Sequence, residues 1–597
     1  MRSASQADCP GLKRVAEATC VPDLLLQAPT EWMDKPMLRF RDAGGVWRQW
    51  SRVHVAQAVL RLSAWLEHRG IQPGDRVGIL GHNCPEWLIV DFAVLRLGAV
   101  TVPAYFTDPA EAVRYVFDDA DVSLVFAEQG AQEEKMRGYA RPCIPLRGSE
   151  KSVAGIVADE RWEGRLSAHC PTREDLATLI YTSGTTGHPK GVMLSHGNLL
   201  ADIAAGLGGV PVYPDDVFLS FLPLSHAFER TVGHFLPVAS GAEIAYAEHV
   251  TTLARDMLEV RPTIMISVPR LYEKLHAGVQ ARLAESPVVK RRLFALAQKL
   301  GMEQFVCRQR GGKLKGWKGL LWRLLDRLAH APIRQRLGGR LRLFISGGAA
   351  LHPEIARFLL AAGVTVLPGY GLTEAAPVLT VNRASRIRPE TVGQALPGVQ
   401  LRCADDGELL ARGAMIMQGY WRNEQATQEA LDADGWLHTG DIAEIDAEGF
   451  VRIVDRKKEI MVLSNGENVP PAVIEQHLTR DPVVVQAMVV AEQRPYVGAL
   501  IVPDPDALRQ AWQQEMRRPL PQAWQEDGEV LRWFRQRLQW DTRDLPSFMQ
   551  VHAFAFVGEE WSQANGLLTP TLKLKRHRIA ERHAEEIASL FKQEGES

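Results

Sequence analysis

The run Leu176-Ala-Thr-Leu-Ile-Tyr181-Thr182-Ser183-Gly184-Thr185-Thr186-Gly187-His-Pro-Lys190-Gly191 joins two unlike halves. The first half is apolar and reads as a buried strand, Leu176–Thr182. The second half is a loop of small hydroxyl residues and glycines with a lysine near its end. Glycines let backbone N–H groups come close to an anion, hydroxyls add donors, and a lysine adds charge. The chemistry suggested is a cradle for a polyphosphate, built from Thr182, Ser183, Gly184, Thr185, Thr186, Gly187 and Lys190. It is not the familiar G-x-x-x-x-G-K-[ST] loop, because Pro189 stands where that pattern needs its second glycine.

Outward from this run the chain alternates strands and helices. Ser51 to Gly70 has apolar residues at helical spacing, and Arg76–Leu80 reads as a buried strand. A helix over Pro85–Leu97 and a strand from Val100 follow. Further strands are expected at Val122–Ala127, Thr263–Val268, Leu341–Ser346 and Val364–Leu367. Such alternation implies parallel sheets covered by helices on both faces. Residues 391–455 differ, with short strands between Gly/Asp turns, and read as a small β-rich subdomain. The expected fold is therefore α/β: a large domain of doubly covered sheets with this β-rich subdomain and a basic insert at about 285–342.

The chain has 597 residues, 46% hydrophobic and 23% charged, with a net charge of −2. That composition excludes a wholly disordered or collagen-like chain, and the balanced charge argues against nucleic acid as a partner. Seven scattered cysteines without a C-x-x-C pair argue against a disulfide framework and fit a reducing compartment. No signal-peptide pattern and no apolar run long enough to span a bilayer is read, so the expected location is cytoplasmic. One stretch breaks the balance. Residues 290–342 hold fifteen Lys or Arg against Glu303 and Asp326, a net +13, with Trp317, Leu320, Leu321, Leu324, Leu325 and Leu328 at helical spacing. This predicts peripheral attachment to an anionic membrane face.

Four further motifs carry chemistry. They are Leu222-Pro-Leu-Ser-His226-Ala-Phe-Glu-Arg230, Ile345-Ser-Gly347-Gly348-Ala349-Ala350, Pro368-Gly369-Tyr370-Gly371-Leu-Thr373-Glu374 and Gly435-Trp-Leu-His-Thr-Gly-Asp441. After them come Asp455-Arg456, the turn around Gly466, and Asn565-Gly-Leu-Leu-Thr-Pro-Thr-Leu-Lys573-Leu-Lys575-Arg576. From about residue 30 to about 580 this series resembles the adenylate-forming superfamily, and its Phe-Glu-Arg extension and C-terminal tail resemble the long-chain fatty acyl-CoA synthetases.

The resemblance implies an enzyme that uses ATP and Mg²⁺ to turn a long-chain fatty acid into an acyl-adenylate and then passes the acyl group to coenzyme A. It places the 182–190 loop on the β- and γ-phosphates, Gly347, Gly348 and Ala349 along the adenine and acyl pocket, and His226 near both sites. Tyr370, between Gly369 and Gly371, would stack on the purine, Thr373 would meet the α-phosphate, and Glu374 would hold Mg²⁺. Asp441 and Arg456 would contact the ribose, Asp455 would be the hinge between a large N-terminal domain over 1–454 and a small, mobile α+β domain over 455–597, and Gly466 would border the pantetheine channel. Lys573 would be the mobile catalytic lysine. Many relatives have Ser-Gly before that lysine where this chain has Thr571-Leu572, which leaves Lys575 as a rival. The alternatives are an acyl-AMP ligase delivering to acyl carrier protein and a nucleotide-binding scaffold without catalysis.

Overall fold

Arg76–Leu80 pairs in parallel with Val100–Ala104 on one side and Leu124–Ala127 on the other. The helix Pro85–Arg96 makes the first crossover. It is buried from Pro85 to Leu95 and apolar on every side but for Glu86 and Asp91, as suits a helix enclosed between layers. The helix before it, Arg52–His68, begins where the Ser51 hydroxyl accepts from the His54 amide. The computed structural model describes residues 9–166, 170–182, 189–569 and 573–591. Ser183, Gly184, Thr185, Thr186 and Gly187 lie outside the described residues.

The chain divides into two compact units. Met1–Arg402, Leu410–Thr439 and Ile445–Arg452 make the first, and Cys403–Leu409, Gly440–Glu444 and Ile453–Ser597 make the second. Among the described residues the first unit holds two large sheets. One has the order Gly419–Tyr420, Lys190–Ser195, Leu176–Thr182, Val100–Ala104, Arg76–Leu80, Leu124–Ala127, Cys143–Pro145. The other centres on Val217–Ser220, Ile264–Ser267, Leu343–Ser346 and Val366–Gly371, all parallel.

The expectation of parallel sheets holds in both centres and at the Cys143–Pro145 edge, and fails toward the other edges. Leu176–Thr182 and Lys190–Ser195 are antiparallel. The seven residues between them are too few for a crossover, which takes a dozen or more, so the chain reverses. Val366–Gly371 and Val378–Val381 are antiparallel for the same reason. Both reversals fall on motif residues, so Thr182, Lys190 and the turn Thr373–Ala375 stand at sheet ends.

The second unit is α+β. Val484–Val490, Val497–Pro503 and Val551–Phe556 form a sheet. The helices Pro505–Met516 and Gly528–Thr542 bury Leu508, Trp512, Val530 and Phe534 in the same core. The Gly/Asp-rich stretch gives the short strands Gln400–Cys403, Glu408–Arg412, Leu437–Ile445 and Val451–Arg456, as read. The basic insert is helical: Val288–Gln309, Gly316–Leu325 and Ala331–Arg336. Among the described residues no helix is long and apolar enough to cross a membrane.

Candidate active site

Lys190 opens the strand Lys190–Ser195 directly opposite Thr182. On the other edge of that strand lies Gly419–Tyr420, with Tyr420 opposite Val192. The Trp421 amide donates to the Gly191 carbonyl at 2.8 Å, and the Trp421 indole donates to the Asp119 carbonyl at 3.1 Å. This pairing sets the Tyr420 ring beside the lysine, with Nζ of Lys190 5.0 Å from the ring centroid. The Tyr420 hydroxyl then donates to Oε1 of Glu374 at 2.8 Å. Burial and the adjacent Glu374 carboxylate push the Tyr420 phenol well above its ordinary pKa, so it stays a donor. Two motifs about 180 residues apart in the chain are thus joined through a tyrosine from a third segment.

Glu374 is also fixed by its main chain. Its carbonyl accepts from the Met417 amide at 2.9 Å. Asn198 Nδ2 donates to the carbonyls of Ala414 and Ile416 at 2.9 and 2.8 Å and so holds that segment in place. Asn198 belongs to the capping box with Ser195 that starts the helix His196–Gly209. Its position is therefore set by the strand that begins at Lys190.

Thr373 and Glu374 occupy a single 3₁₀ turn, Thr373–Ala375, after the strand Val366–Gly371. Gly371 makes the reversal possible: a Cβ there would lie 1.9 Å from the Pro377 carbonyl oxygen. Tyr370 pairs with Thr380 across the hairpin. Gly369, Tyr370, Gly371, Thr373 and Glu374 therefore stand together at one sheet end, as expected for ligand-binding loops of an open α/β sheet.

Gly347, Gly348 and Ala349 follow the strand Leu343–Ser346, the parallel neighbour of Val366–Gly371. Gly347 meets the His226 motif, since a Cβ there would lie 2.9 Å from the Phe228 ring. His226 is half-buried, and its Nδ1 accepts from the Phe228 amide at 3.2 Å. Asn83 fixes this loop, donating to the Ser220 hydroxyl at 2.9 Å and the Leu222 carbonyl at 2.6 Å and accepting from the Leu224 amide at 3.1 Å.

The end of that motif has a different task. Arg230 is buried, donates from both Nε and Nη2 to Asp91, and reaches the hydroxyls of Thr178 and Thr101 at 2.7 and 2.5 Å. It ties the π-helical segment Glu229–Phe235 to the other sheet. Glu229 is fully buried, and burial pushes its carboxyl up to about 8, so it is mostly protonated at neutral pH.

In the second unit, Arg456 Nε lies 3.4 Å from Asp441 Oδ1, with Asp441 buried and Arg456 exposed. The two residues expected at a ribose are thus neighbours. Asp455 accepts from the amides of Arg456 at 2.7 Å and Ala472 at 3.0 Å, and burial raises its carboxyl to about 6. Lys457 is held by Asp406 and Glu408 at 2.6 and 2.9 Å, a structural pairing. Gly466 has φ +88°, and nothing lies within 4 Å of a Cβ built on it. Its glycine is required by the left-handed turn, not by crowding from the rest of the chain.

Lys573 is exposed and bonded to Thr569. Its carbonyl accepts from the Thr569 amide at 2.8 Å, and its own amide donates to the Thr569 hydroxyl at 3.0 Å. Thr571 and Leu572 lie outside the described residues. Lys575 is half-buried. Arg576 is an anchor, bidentate to Glu475 at 2.6 and 2.8 Å with Glu459 at 3.2 Å.

Sequence reading missed Tyr420, Asn83 and Asn198. None sits in a glycine-rich or charged run, and each acts through a partner more than 40 residues away. Among the described residues no three His, Cys, Asp or Glu side chains gather as a metal cluster. A single carboxylate oriented by a tyrosine hydroxyl suits Mg²⁺, which is commonly bound by one or two carboxylates together with substrate phosphates.

The sequence model described as "AMP-binding enzyme" matches residues 25–421, and "AMP-binding enzyme C-terminal domain" matches residues 458–595. The chain is 35% identical over 572 residues to a protein of Mycobacterium bovis named long-chain-fatty-acid–CoA ligase FadD15, covering 92% of this chain and 93% of that protein. It is 32% identical to the peroxisomal long chain acyl-CoA synthetase 7 of Arabidopsis thaliana, covering 89% of this chain and 80% of that one. Among solved structures it resembles the adenylation domain of a carboxylate reductase from Mycobacterium chelonae, with a TM-score of 0.76, 21% identity, and coverage of 98% and 94%.

Proposed function

The chain belongs to the AMP-binding enzyme family, and from that premise we propose that it is a long-chain fatty acid–CoA ligase. The single observation that carries the reading is the Lys190–Tyr420–Glu374 corner, where a cation and a carboxylate are fixed on one tyrosine beside the expected phosphate loop. The relatives' names supply the acid, a long-chain fatty acid, and the acceptor, coenzyme A.

A carboxylate is a poor acyl donor because its leaving group would be oxide. Attack by a carboxylate oxygen on the α-phosphorus of ATP forms the acyl-adenylate and expels pyrophosphate. The thiol of coenzyme A then attacks the acyl carbon and AMP leaves. The obstacle in the first step is bringing two anions together, so positioning and charge neutralisation supply most of the rate. Lys190 serves the β- and γ-phosphates, and Thr373 donates to the α-phosphate. Tyr370 stacks on the purine, with Gly347, Gly348 and Ala349 along the adenine and acyl pocket and His226 beside it. Magnesium, held by Glu374 with phosphate oxygens, would spread the polyphosphate charge. In the second unit Asp441 and Arg456 bind the ribose, Lys573 serves the bridging oxygens, Asp455 is the hinge between the two half-reactions, and Gly466 borders the path of the thiol arm. An acid that partitions into bilayers also favours work at a membrane face, so the reading includes peripheral attachment.

The test is an assay with ATP, Mg²⁺, coenzyme A and saturated acids of graded length, following AMP and thioester. The expected result is thioester formation that rises into long chains. Adenylate without thioester would point to a carrier-protein acceptor, and activity confined to short or aromatic acids would overturn the substrate.

A further inference from the structure

The helices between Ile264–Ser267 and Leu343–Ser346 are fastened to the body through their inner side chains. Ala297, Leu300 and Leu325 are buried together, with Leu321, Trp322 and Ala329 against them. Gly301 lets the helix Val288–Gln309 approach Pro353–Ala361 so closely that a Cβ would lie 2.2 Å from the Ala361 carbonyl oxygen. Arg334 is bidentate to Asp326 at 2.8 Å and donates to the Ala362 carbonyl at 2.7 Å. The segment is therefore folded and held, and its outer face is fixed in place.

That outer face is apolar where it should not be. Trp317, Leu320, Leu324 and Leu328 are 70%, 68%, 57% and 66% exposed. Their spacing of three, four and four residues sets them in one stripe along the helix Gly316–Leu325 and the turn after it. Large apolar residues exposed in a row mark an interaction surface rather than ordinary protein surface. Beside the stripe, Lys313, Lys315, Arg323 and Arg327 are exposed. The two acids of the segment are already engaged, Glu303 with Lys318 at 2.9 Å and Asp326 with Arg334. The +13 of residues 290–342 leaves −15 on the rest of the chain.

We infer that the outer face of residues 313–328 docks on an anionic lipid bilayer, with the Trp317–Leu328 stripe in the interface and the flanking Lys and Arg on the headgroup phosphates. The inference deepens the proposed function by naming the surface for peripheral attachment, and rests on it for the reason to be at a membrane. Charge complementarity selects the occupant. A second copy would bring the exposed Lys313, Lys315, Arg323 and Arg327 against their own counterparts, while a negative membrane attracts this face and repels the acidic remainder of the chain. Three leucines in line suit an acyl boundary and add little to nucleic acid binding, which draws on phosphate contacts and aromatic stacking.

The test uses the full chain and phosphatidylcholine vesicles with and without added phosphatidylglycerol, in the absence of ATP and coenzyme A. Expected are co-sedimentation that depends on the anionic lipid and falls with salt, and quenching of Trp317 by brominated acyl chains that is lost in Trp317→Phe. The variant Trp317→Ser/Leu320→Ser/Leu324→Ser should bind vesicles about tenfold or more weakly. Lys313→Gln/Lys315→Gln/Arg323→Gln/Arg327→Gln should lose the anionic preference. Both should keep wild-type thioester formation from a detergent-dispersed acid. Vesicle binding needs no turnover, so its outcome is independent of whether the ligase assay succeeds. Equal binding to neutral and anionic vesicles would overturn the inference. So would a concentration-dependent dimer abolished by the serine variant, or retention on a polynucleotide without vesicle binding.

Discussion

Lys190 and Glu374 are held differently from Lys573. Lys190 opens a strand, Glu374 lies in the single 3₁₀ turn that follows one, and the Tyr420 side chain that joins them is carried on a strand paired with the one Lys190 opens. The carbonyl of Glu374 is bonded to a segment that a capped helix fixes in turn. Lys573 is exposed, with its amide donating to the Thr569 hydroxyl and Arg576, three residues on, locked to Glu475. A group that must hold one charge pattern throughout a reaction is best built on rigid elements. A group proposed to serve only one of two half-reactions is better placed on a loop.

The contrast breaks first at Glu374. Glu374→Gln, and separately Lys190→Met, should lower fatty-acid-dependent pyrophosphate release by roughly 10²–10³-fold, measured at saturating ATP and Mg²⁺. Near-normal rates in either variant would remove that corner from the chemistry. The next largest effect distinguishes the two lysines. Lys573→Ala should slow adenylate formation by about 10²-fold while leaving thioester formation from preformed acyl-adenylate close to wild type. Lys575→Ala should change neither by more than about threefold, within what an exposed or partly exposed substitution costs. The reverse pattern would move the role to Lys575.

Tyr420→Phe sharpens the comparison at smaller cost. It keeps the ring beside Lys190 and removes one hydrogen bond to a carboxylate, an interaction worth about 1.5–3 kcal/mol. The expected result is about a tenfold fall in kcat/KM and a higher Mg²⁺ requirement, with the thermal midpoint little changed. A loss confined to stability would make Tyr420 a packing residue.

The parts of this site that were legible in sequence are those written as local strings. Glycines and hydroxyls after a strand, or Tyr-Gly-Leu-Thr-Glu after a strand, declare a loop at a sheet end because backbone approach and donor density need those residue types in succession. The strand and helix centres were legible for the same reason, since burial imposes a period. Antiparallel edges were missed because direction depends on loop length between elements, which an alternation pattern does not weigh. Tyr420 was missed because its role comes from register, and Asn198 because it works through the backbone of a segment over 200 residues away. The Phe-Glu-Arg string was legible as a family resemblance, but not in what its residues do within the fold. Its arginine is engaged by Asp91 inside the fold, a structural role that the string alone does not declare.

Glu229 extends the contrast from positions to charge states, and gives the smallest effect. Unlike Glu374, it sits wholly within the core, next to Arg230, which Asp91 engages, and one turn from His234, whose imidazole burial holds down at about 3. Its carboxyl rises from an ordinary 4.5 to about 8. Between those values the folded chain keeps a proton that the unfolded chain releases. Stability contributed by this group is therefore full below about pH 4.5, falls as pH rises toward 8, and levels off above it. Glu229→Gln preserves the shape and removes the titration. The difference in thermal midpoint between wild type and variant should drift by about 2–4 °C across pH 5–9, wild type losing ground as pH rises. A difference that stays flat over that range would mean Glu229 keeps the same charge in both states, and that a paired or solvated environment, rather than a neutral core, surrounds it.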